Sequence, residues 1–127
     1  MKVIDQVYEI NAPAEKVWEA LVNPDKIEAW GAGPAEMKDE EGFEFSLWGG
    51  EIFGKNIKVL KNKKLVQEWF AGKWDKPSIV ELGLSGDDEV TTVKLHQVDV
   101  PDSEYEDVKD GWDKFYFGPL TELLETN

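Results

Sequence analysis

The stretch Ser103-Glu-Tyr-Glu-Asp-Val-Lys-Asp-Gly-Trp-Asp-Lys-Phe-Tyr-Phe-Gly-Pro-Leu-Thr-Glu-Leu-Leu124 decides the fold of this chain. Ser103 and Glu106 have the spacing of a capping box, so a helix is predicted to begin at Ser103. The Gly118-Pro119 pair predicts a late bend, because proline cannot donate to the helical ladder. One side of this helix is apolar and requires an apolar cover. Its members are Tyr105, Val108, Trp112, Phe115, Leu120, Leu123 and Leu124.

The segment before this helix alternates between apolar and polar residues, which is typical of strands. Strands are predicted at residues 36–38, 43–47, 52–60, 65–70, 78–84 and 90–98. Their connections are too short for crossover helices, so the strands are expected to pair antiparallel. Alternate side chains point to opposite faces of a sheet, so one face of each strand should meet the helix. The expected inner-face residues are Phe45, Leu47, Leu65, Gln67, Trp69, Ser78, Val80, Leu82, Leu84, Val93, Leu95 and Gln97.

A strand and two short helices are predicted to precede these elements. Residues 2–10 alternate like a strand, and a first helix follows the turn at Asn11-Ala-Pro13. A second helix is predicted at residues 25–30, with Asn23 as its N-cap and Pro24 in its first helical position. The fold class is therefore α+β, with a curved antiparallel sheet, two short helices and a long C-terminal helix in a single domain of residues 1–127.

Composition restricts the classes of function. The formal net charge of −13 makes nucleic acids and anionic membranes poor partners, because phosphate contacts require clustered lysines and arginines. The 127 residues include no cysteine and one histidine, which excludes thiol catalysis and cysteine-based metal sites. No signal peptide or membrane span of about 20 residues can be placed, so a cytoplasmic location is expected.

Several segments occur together in an order that is more specific than any one of them. They are Glu28-Ala-Trp30, Gly42-Phe-Glu-Phe-Ser-Leu-Trp-Gly-Gly50, Leu65-Val-Gln-Glu-Trp-Phe70, Trp74, Val100-Pro101 and Gly111-Trp-Asp-Lys-Phe-Tyr-Phe117. The order of elements resembles the START-like or Bet v 1-like (SRPBCC) helix-grip superfamily. The segments resemble, more closely, the C-terminal domain of the activator of heat-shock protein 90 ATPase. This likeness spans nearly the whole chain.

The resemblance implies a non-enzymatic binding domain of the co-chaperone type, which would contact heat-shock protein 90 and favour its ATP-hydrolysing conformation. In eukaryotic activators a separate N-terminal domain makes the principal chaperone contact, and these 127 residues do not contain it. Asp99 and Phe43 stand at positions where related proteins often have glycine.

No enzyme, metal or cofactor site is predicted from the residues. His96 is expected on the outer face of its strand, and no nucleophile or orienting carboxylate has recognisable spacing around it. Gly31-Ala-Gly33 precedes a proline rather than a helix, so it does not predict a phosphate-binding loop. A weaker alternative is a cyclase-like or hydrolase-like enzyme, in which Tyr116 or a carboxylate would serve as acid or base.

A cavity between sheet and helix is a second hypothesis, in which the domain binds or transports a small hydrophobic ligand. The resemblance implies a hollow there, whereas the close packing of protein interiors implies that aromatic side chains fill it. Gln67 and Gln97 would each need a hydrogen-bond partner in protein, water or ligand. The candidate lining residues are Trp30, Phe45, Gln67, Trp69, Val80, Leu95, Gln97, Trp112 and Tyr116.

Two loops and one hairpin tip are candidate protein contacts. Trp48 and Trp74 lie in turn-forming segments and are expected to be more exposed than the core tryptophans, and large aromatic residues dominate binding hot spots. Lys61, Lys63 and Lys64 form the only basic cluster and would steer an acidic partner toward that tip.

Overall fold

A six-stranded antiparallel sheet forms the body of the domain in the computed structural model, which describes residues 1–72 and 74–126. The strand order across the sheet is β1-β6-β5-β4-β3-β2. Strand β1 therefore pairs with the last strand of the chain, and the other strands form a meander. The strands are β1 (Lys2–Ile10), β2 (Glu44–Leu47), β3 (Ile52–Leu60), β4 (Lys64–Ala71), β5 (Ser78–Gly86) and β6 (Thr91–Val100). The predicted fold class is confirmed.

The predicted inner face of the sheet is confirmed residue by residue. All twelve expected inner-face side chains, from Phe45 to Gln97, are less than a tenth exposed. The register pairs inner residues with inner residues, as in Gln67 with Val80 and Val80 with Gln97. The alternating pattern fixes the register of the strands, because a slip of one residue would turn every apolar side chain of a strand outward.

The two short helices, α1 (Ala14–Val22) and α2 (Pro24–Ala29), lie between β1 and β2. The Asn23 side chain accepts a hydrogen bond of 2.9 Å from the amide of Asp25, so the predicted N-cap is confirmed. The strand predicted at residues 36–38 is wrong, because that segment makes only an isolated bridge between Glu36 and Ser46. Two hydrogen bonds form this bridge, and the neighbouring residue Met37 is buried.

The C-terminal helix spans Tyr105 to Glu125 and begins later than predicted. A 3₁₀ turn at Asp102–Glu104 precedes α3 (Tyr105–Gly111), and neither Ser103 nor Glu106 caps it. The predicted capping box is therefore wrong. The amide of Glu104 instead donates to the carbonyl of Pro101 at 3.0 Å, which closes the 3₁₀ turn.

The middle of the C-terminal helix is a π-helical segment, Trp112–Phe117, followed by α4 (Gly118–Glu125). The amide of Gly118 donates to the carbonyl of Asp113, five residues earlier. A Cβ atom on Gly118 would lie 2.3 Å from that carbonyl oxygen, so only glycine fits. The π spacing also accommodates Pro119, whose ring would clash with the carbonyl four residues earlier in a regular α-helix. Where the sequence predicts a late bend at Gly118-Pro119, the structure has a π-helical segment that ends just before this pair.

Trp18 is fully buried on α1, and its indole N–H has no hydrogen-bond partner among the described residues. We expect Trp18→Phe to change the free energy of unfolding by less than about 1 kcal/mol, because loss of volume is offset by removal of an unsatisfied donor. Trp30 is the matched control, since its indole donates to the carbonyl of Ala20 at 2.8 Å. Trp30→Phe should lower the free energy of unfolding, measured by urea denaturation, by about 2 kcal/mol more than Trp18→Phe does. Equal losses in the two variants would contradict this expectation.

Candidate functional site

An open groove of about 520 Å³ lies between the C-terminal helix and the ends of β3 and β4. Residues from six segments meet there: the turn after β2, the start of β3, the end of β4, the loop after β4, the 3₁₀ turn before the C-terminal helix and that helix itself. This volume falls within the range of small-molecule sites. The lining residues are Trp48, Glu51, Ile52, Trp69, Ala71, Trp74, Glu104, Asp107, Val108, Gly111, Trp112, Phe115 and Tyr116.

The floor of the groove is a cluster of three buried aromatic rings, Trp69, Trp112 and Tyr116. The rings of Trp69 and Trp112 stack with centroids 4.7 Å apart and planes 28° apart. Tyr116 lies 4.7 Å from Trp112 at a tilted angle. All three residues are at most 5% exposed, so they present only a small apolar surface to the groove. Offset and tilted arrangements of this kind stabilise aromatic clusters beyond the area that they bury.

Trp112 is held in place by a buried chain of hydrogen bonds. Its indole Nε1 donates to Oε1 of Gln97 at 2.7 Å, and Nε2 of Gln97 donates to the hydroxyl of Ser78 at 2.9 Å. The Ser78 hydroxyl donates in turn to the carbonyl of Val98 at 2.6 Å. The chain ends on the backbone of the sheet, so the orientation of the ring is fixed by strands β5 and β6.

A second chain holds Trp69. Its indole donates to Oε1 of Gln67 at 2.8 Å, and Gln67 donates to Oδ1 of Asn56 at 2.9 Å. The Asn56 amide donates to the backbone carbonyls of Lys38 and Glu40 at 2.8 and 3.1 Å. The side-chain amides of Gln67 and Gln97 are therefore satisfied by protein groups, and neither needs a ligand to complete its hydrogen bonding.

The predicted cavity-lining residues divide into two groups. Trp69, Trp112 and Tyr116 line the groove. The other six are buried in the packed core and do not line it; they are Trp30, Phe45, Gln67, Val80, Leu95 and Gln97. Large side chains fill the space between sheet and helix, so the open volume lies at the end of the helix-covered face rather than inside it.

The predicted contact residues Trp48 and Trp74 line this same groove, and both are only partly buried. The ring centroids of Trp48 and Trp30 lie 6.4 Å apart in an edge-to-face arrangement. The Trp74 indole donates to the carboxylate of Glu104. These contacts tether the two outer tryptophans to the domain while leaving part of each ring accessible.

Sequence reasoning missed the outer part of the groove. Phe115 was assigned to the apolar stripe that the sheet covers, but it is 63% exposed. The π spacing at Trp112–Phe117 changes the angle between successive side chains, so a stripe drawn at α-helical spacing misplaces it. Glu51, Glu104 and Asp107 were not singled out, and the Gly-Pro pair was the only sequence signal for an irregular helix here.

The third predicted contact lies elsewhere. Lys61 and Lys63 are exposed at the hairpin tip between β3 and β4, and Lys64 forms an ion pair of 3.5 Å with Glu81. Asn62 has the positive φ of 65° that this tight turn requires. The tip is the far end of the hairpin whose other end borders the groove, roughly 25 Å away along β3.

Groups that could perform acid–base or metal chemistry are sparse. His96 is exposed on the outer face of β6, with its Nδ1 atom 2.6 Å from Asp5. Burial raises the pKa of the Tyr116 hydroxyl, so this group is held protonated and is a weaker acid than free tyrosine. Residues 1–72 and 74–126 contain no cluster of three histidines or carboxylates that could hold a metal ion. None of the helices in that part of the chain has the length and hydropathy of a membrane span.

Comparison with known proteins places the chain in a family. The family described as "Activator of Hsp90 ATPase homolog 1-like protein" matches residues 11–125, which include every element from α1 to α4. The chain belongs to this family. The resemblance inferred from the ordered sequence segments is thereby confirmed.

Curated relatives carry the same family name. The chain is 34% identical over 98 residues to an activator of 90 kDa heat shock protein ATPase homolog of Dictyostelium discoideum, covering 75% of this chain and 26% of that protein. It is 26% identical over 117 residues to the Hsp90 co-chaperone AHA1 of Saccharomyces cerevisiae, covering 84% of this chain and 33% of the relative. The chain thus spans about a third or less of the length of these relatives.

Two solved structures share the fold at nearly full length. A protein of Mesorhizobium loti is 26% identical, with a TM-score of 0.86, and the match covers 99% of this chain and 98% of that one. An HSP90 activator of Plasmodium falciparum gives a TM-score of 0.88 at 24% identity, with 98% and 97% covered. At that identity the second likeness supports the fold alone.

Proposed function

We propose that this chain is a co-chaperone-like domain that binds an Hsp90-family chaperone in the cytoplasm, raises its ATPase activity and performs no catalysis of its own. The observation that carries the proposal is the family match over residues 11–125. Curated relatives named as activators of the chaperone ATPase support it. The activity of those longer proteins comes to this chain only as part of the proposal.

Two separate surfaces of the domain have the chemistry for such a contact, and each is part of this proposal. The hairpin tip carries Lys61 and Lys63, exposed charges that would attract an acidic partner to a chain whose net charge is −13. Trp48 and Trp74 at the groove supply partly exposed aromatic area, which is typical of binding hot spots. A partner on the tip would meet charge, whereas a partner at the groove would meet aromatic rings.

The direct test uses the purified chain and the Hsp90 of the organism that encodes it. Surface-immobilised chaperone would report binding, and a coupled assay would report ATP turnover with and without the chain. An inhibitor of the chaperone's nucleotide site would correct for contaminating ATPases. We expect saturable binding and increased turnover. Absence of both binding and stimulation would overturn the proposal.

The hairpin tip gives a sharper prediction. We expect Lys61→Glu combined with Lys63→Glu to slow association with the chaperone about tenfold at low salt, because rim charges act mainly on the encounter rate. The effect should shrink as ionic strength rises. Lys16→Glu with Lys26→Glu, at exposed sites on α1 and α2, is the control with the same charge change. Equal slowing in both double variants would show that net charge, rather than the tip, governs association.

A further inference from the structure

The charged residues among the described lining of the groove all have the same sign. Glu51, Glu104 and Asp107 border it, and no lysine, arginine or histidine is among its described lining residues. Within residues 1–72 and 74–126, none of these three carboxylates forms an ion pair. We refer to the three as the acidic rim. Among the described residues, the other walls of the groove are apolar, and none of them supplies a positive charge to the rim.

The walls between these carboxylates are aromatic and partly accessible. Trp48, Trp74 and Phe115 surround the buried floor, and Phe115 is 63% exposed. Aromatic faces attract cations through the negative charge of their π systems, and tryptophan is the strongest of them. Carboxylates and aromatic rings in one groove therefore favour the same class of ligand, one that joins a positive charge to an apolar body.

The rings of the floor are fixed before any ligand arrives. Trp112 is anchored through Gln97 and Ser78 to the backbone of β6. Trp69 is anchored through Gln67 and Asn56 to the backbone of the loop before β2. The Trp74 indole, on the outer wall, is held by the Glu104 carboxylate. A site of this kind requires little reordering of side chains on binding, which favours the binding of small ligands.

We propose that the groove binds a small amphipathic organic cation, namely an alkyl or aryl amine or quaternary ammonium compound. Its apolar body lies on the Trp69–Trp112 floor, and its positive charge lies at the acidic rim. This proposal does not rest on an interaction with a chaperone, and it assigns a charge to the ligand that the sequence left open. The groove volume of about 520 Å³ accommodates such a molecule.

The test compares three probes that share one alkyl chain: decyltrimethylammonium, decanol and decyl sulfate, each below its micelle concentration. Isothermal titration calorimetry gives the affinities, and the indole N–H signals in ¹H–¹⁵N NMR spectra locate the binding. We expect decyltrimethylammonium to bind about tenfold more tightly than decyl sulfate and to shift the Trp74 indole signal. Equal affinity for the cation and the sulfate, or no binding by any probe, would overturn the proposal.

One variant isolates the charge of the rim. Glu51→Gln, Glu104→Gln and Asp107→Asn together keep the shape of the groove and should abolish the preference for the cation, while decanol binding stays within about twofold. The matched control is Glu15→Gln, Glu19→Gln and Glu122→Gln, which changes the net charge equally at exposed helix positions outside the groove. The same loss of preference in this control would contradict a role for the rim.

A second variant isolates the volume of the groove. Gly111 lines it on the C-terminal helix, and a Cβ there meets only the Phe115 ring at 3.8 Å, which is an ordinary contact. Gly111→Leu should therefore fold, because it replaces a helical glycine with a better helix former, and should weaken decyltrimethylammonium binding at least about tenfold. Undiminished binding in a folded Gly111→Leu variant would place the ligand elsewhere and overturn the proposal.

Other occupants are outcomes of the same test. A soluble peptide of alternating leucine and lysine residues that bound the groove more than about tenfold tighter than the alkylammonium would identify a protein segment as the occupant and overturn the small-molecule assignment. Self-association in sedimentation experiments, lost in Gly111→Leu, would identify a second copy of the chain and would also overturn it.

Discussion

Replacing Gly54 with alanine is expected to lower the free energy of unfolding by more than about 4 kcal/mol, or to prevent folding. A Cβ at this position would lie 1.8 Å from the carbonyl oxygen of Glu68 on the neighbouring strand and 3.3 Å from the Phe45 ring. The oxygen belongs to the backbone of β4, so the strand pair itself would have to move. Urea denaturation followed by circular dichroism would measure the loss.

Gly83 provides the matched control within the same sheet. It lies in β5, and a Cβ there would meet nothing within 4 Å. Gly83→Ala should therefore leave stability unchanged or raise it by about 0.5 kcal/mol, because alanine restricts the unfolded chain. A Gly54→Ala protein as stable as Gly83→Ala would show that the close approach of β3 and β4 is not required.

The second large effect is expected at Gln97, which is fully buried under the C-terminal helix. Gln97→Leu keeps much of the side-chain volume but leaves the indole N–H of Trp112 without its acceptor and removes the donor to Ser78. A buried donor that loses its partner costs about 1–3 kcal/mol, and a buried network can cost more than its separate bonds. We therefore expect a loss of about 3 kcal/mol in urea denaturation.

A double-mutant cycle with Trp112→Phe distinguishes lost hydrogen bonding from lost packing. Removal of both partners leaves no orphaned donor at that contact, so the double variant should lose less than the sum of the two single variants by at least about 1 kcal/mol. Additive losses would mean that the Trp112–Gln97 hydrogen bond contributes nothing beyond packing.

The sheet was predictable because the alternation of apolar and polar residues repeats from strand to strand along the chain. Leu65, Gln67 and Trp69 follow one another at every second position, and a single error of register would expose all of them. Alternation alone also correctly placed the three polar inner residues, Gln67, Ser78 and Gln97. The hydrogen-bond partners of Gln67 and Gln97 were not predictable, since Asn56 and Ser78 reach them from other strands.

Two predictions from local sequence rules are wrong in the C-terminal helix. The spacing of Ser103 and Glu106 fits a capping box. The structure instead has a 3₁₀ turn after Pro101, in which the amide of Glu104 donates to the carbonyl of Pro101. Phe115 fits an α-helical stripe, but the π-helical segment turns it toward solvent. Both errors arise because the hydrogen bonding at these places differs from that of a regular α-helix. The only sequence signal of this irregular hydrogen bonding is the Gly118-Pro119 pair, and that signal is indirect.

The acidic rim could not be inferred from the sequence. Glu51 lies more than fifty residues from Glu104, and the two come together only because the turn before β3 and the 3₁₀ turn before α3 border the same groove. In a chain with 27 acidic residues, no single carboxylate stands out by composition. The floor, by contrast, was partly predictable, since Trp69 falls on the inner face of its strand and Trp112 on the apolar side of the helix.

The hairpin of β3 and β4 separates the basic tip from the groove by its full length. Contacts centred on Lys61 and Lys63 therefore lie roughly 25 Å from Trp74 and the acidic rim, and charges this far apart are screened from one another at physiological ionic strength. If the proposed chaperone contact is made at the tip, we expect it to leave the charge environment of the groove unchanged. A chaperone that instead contacted Trp48 and Trp74 would compete with the proposed cation for the same groove.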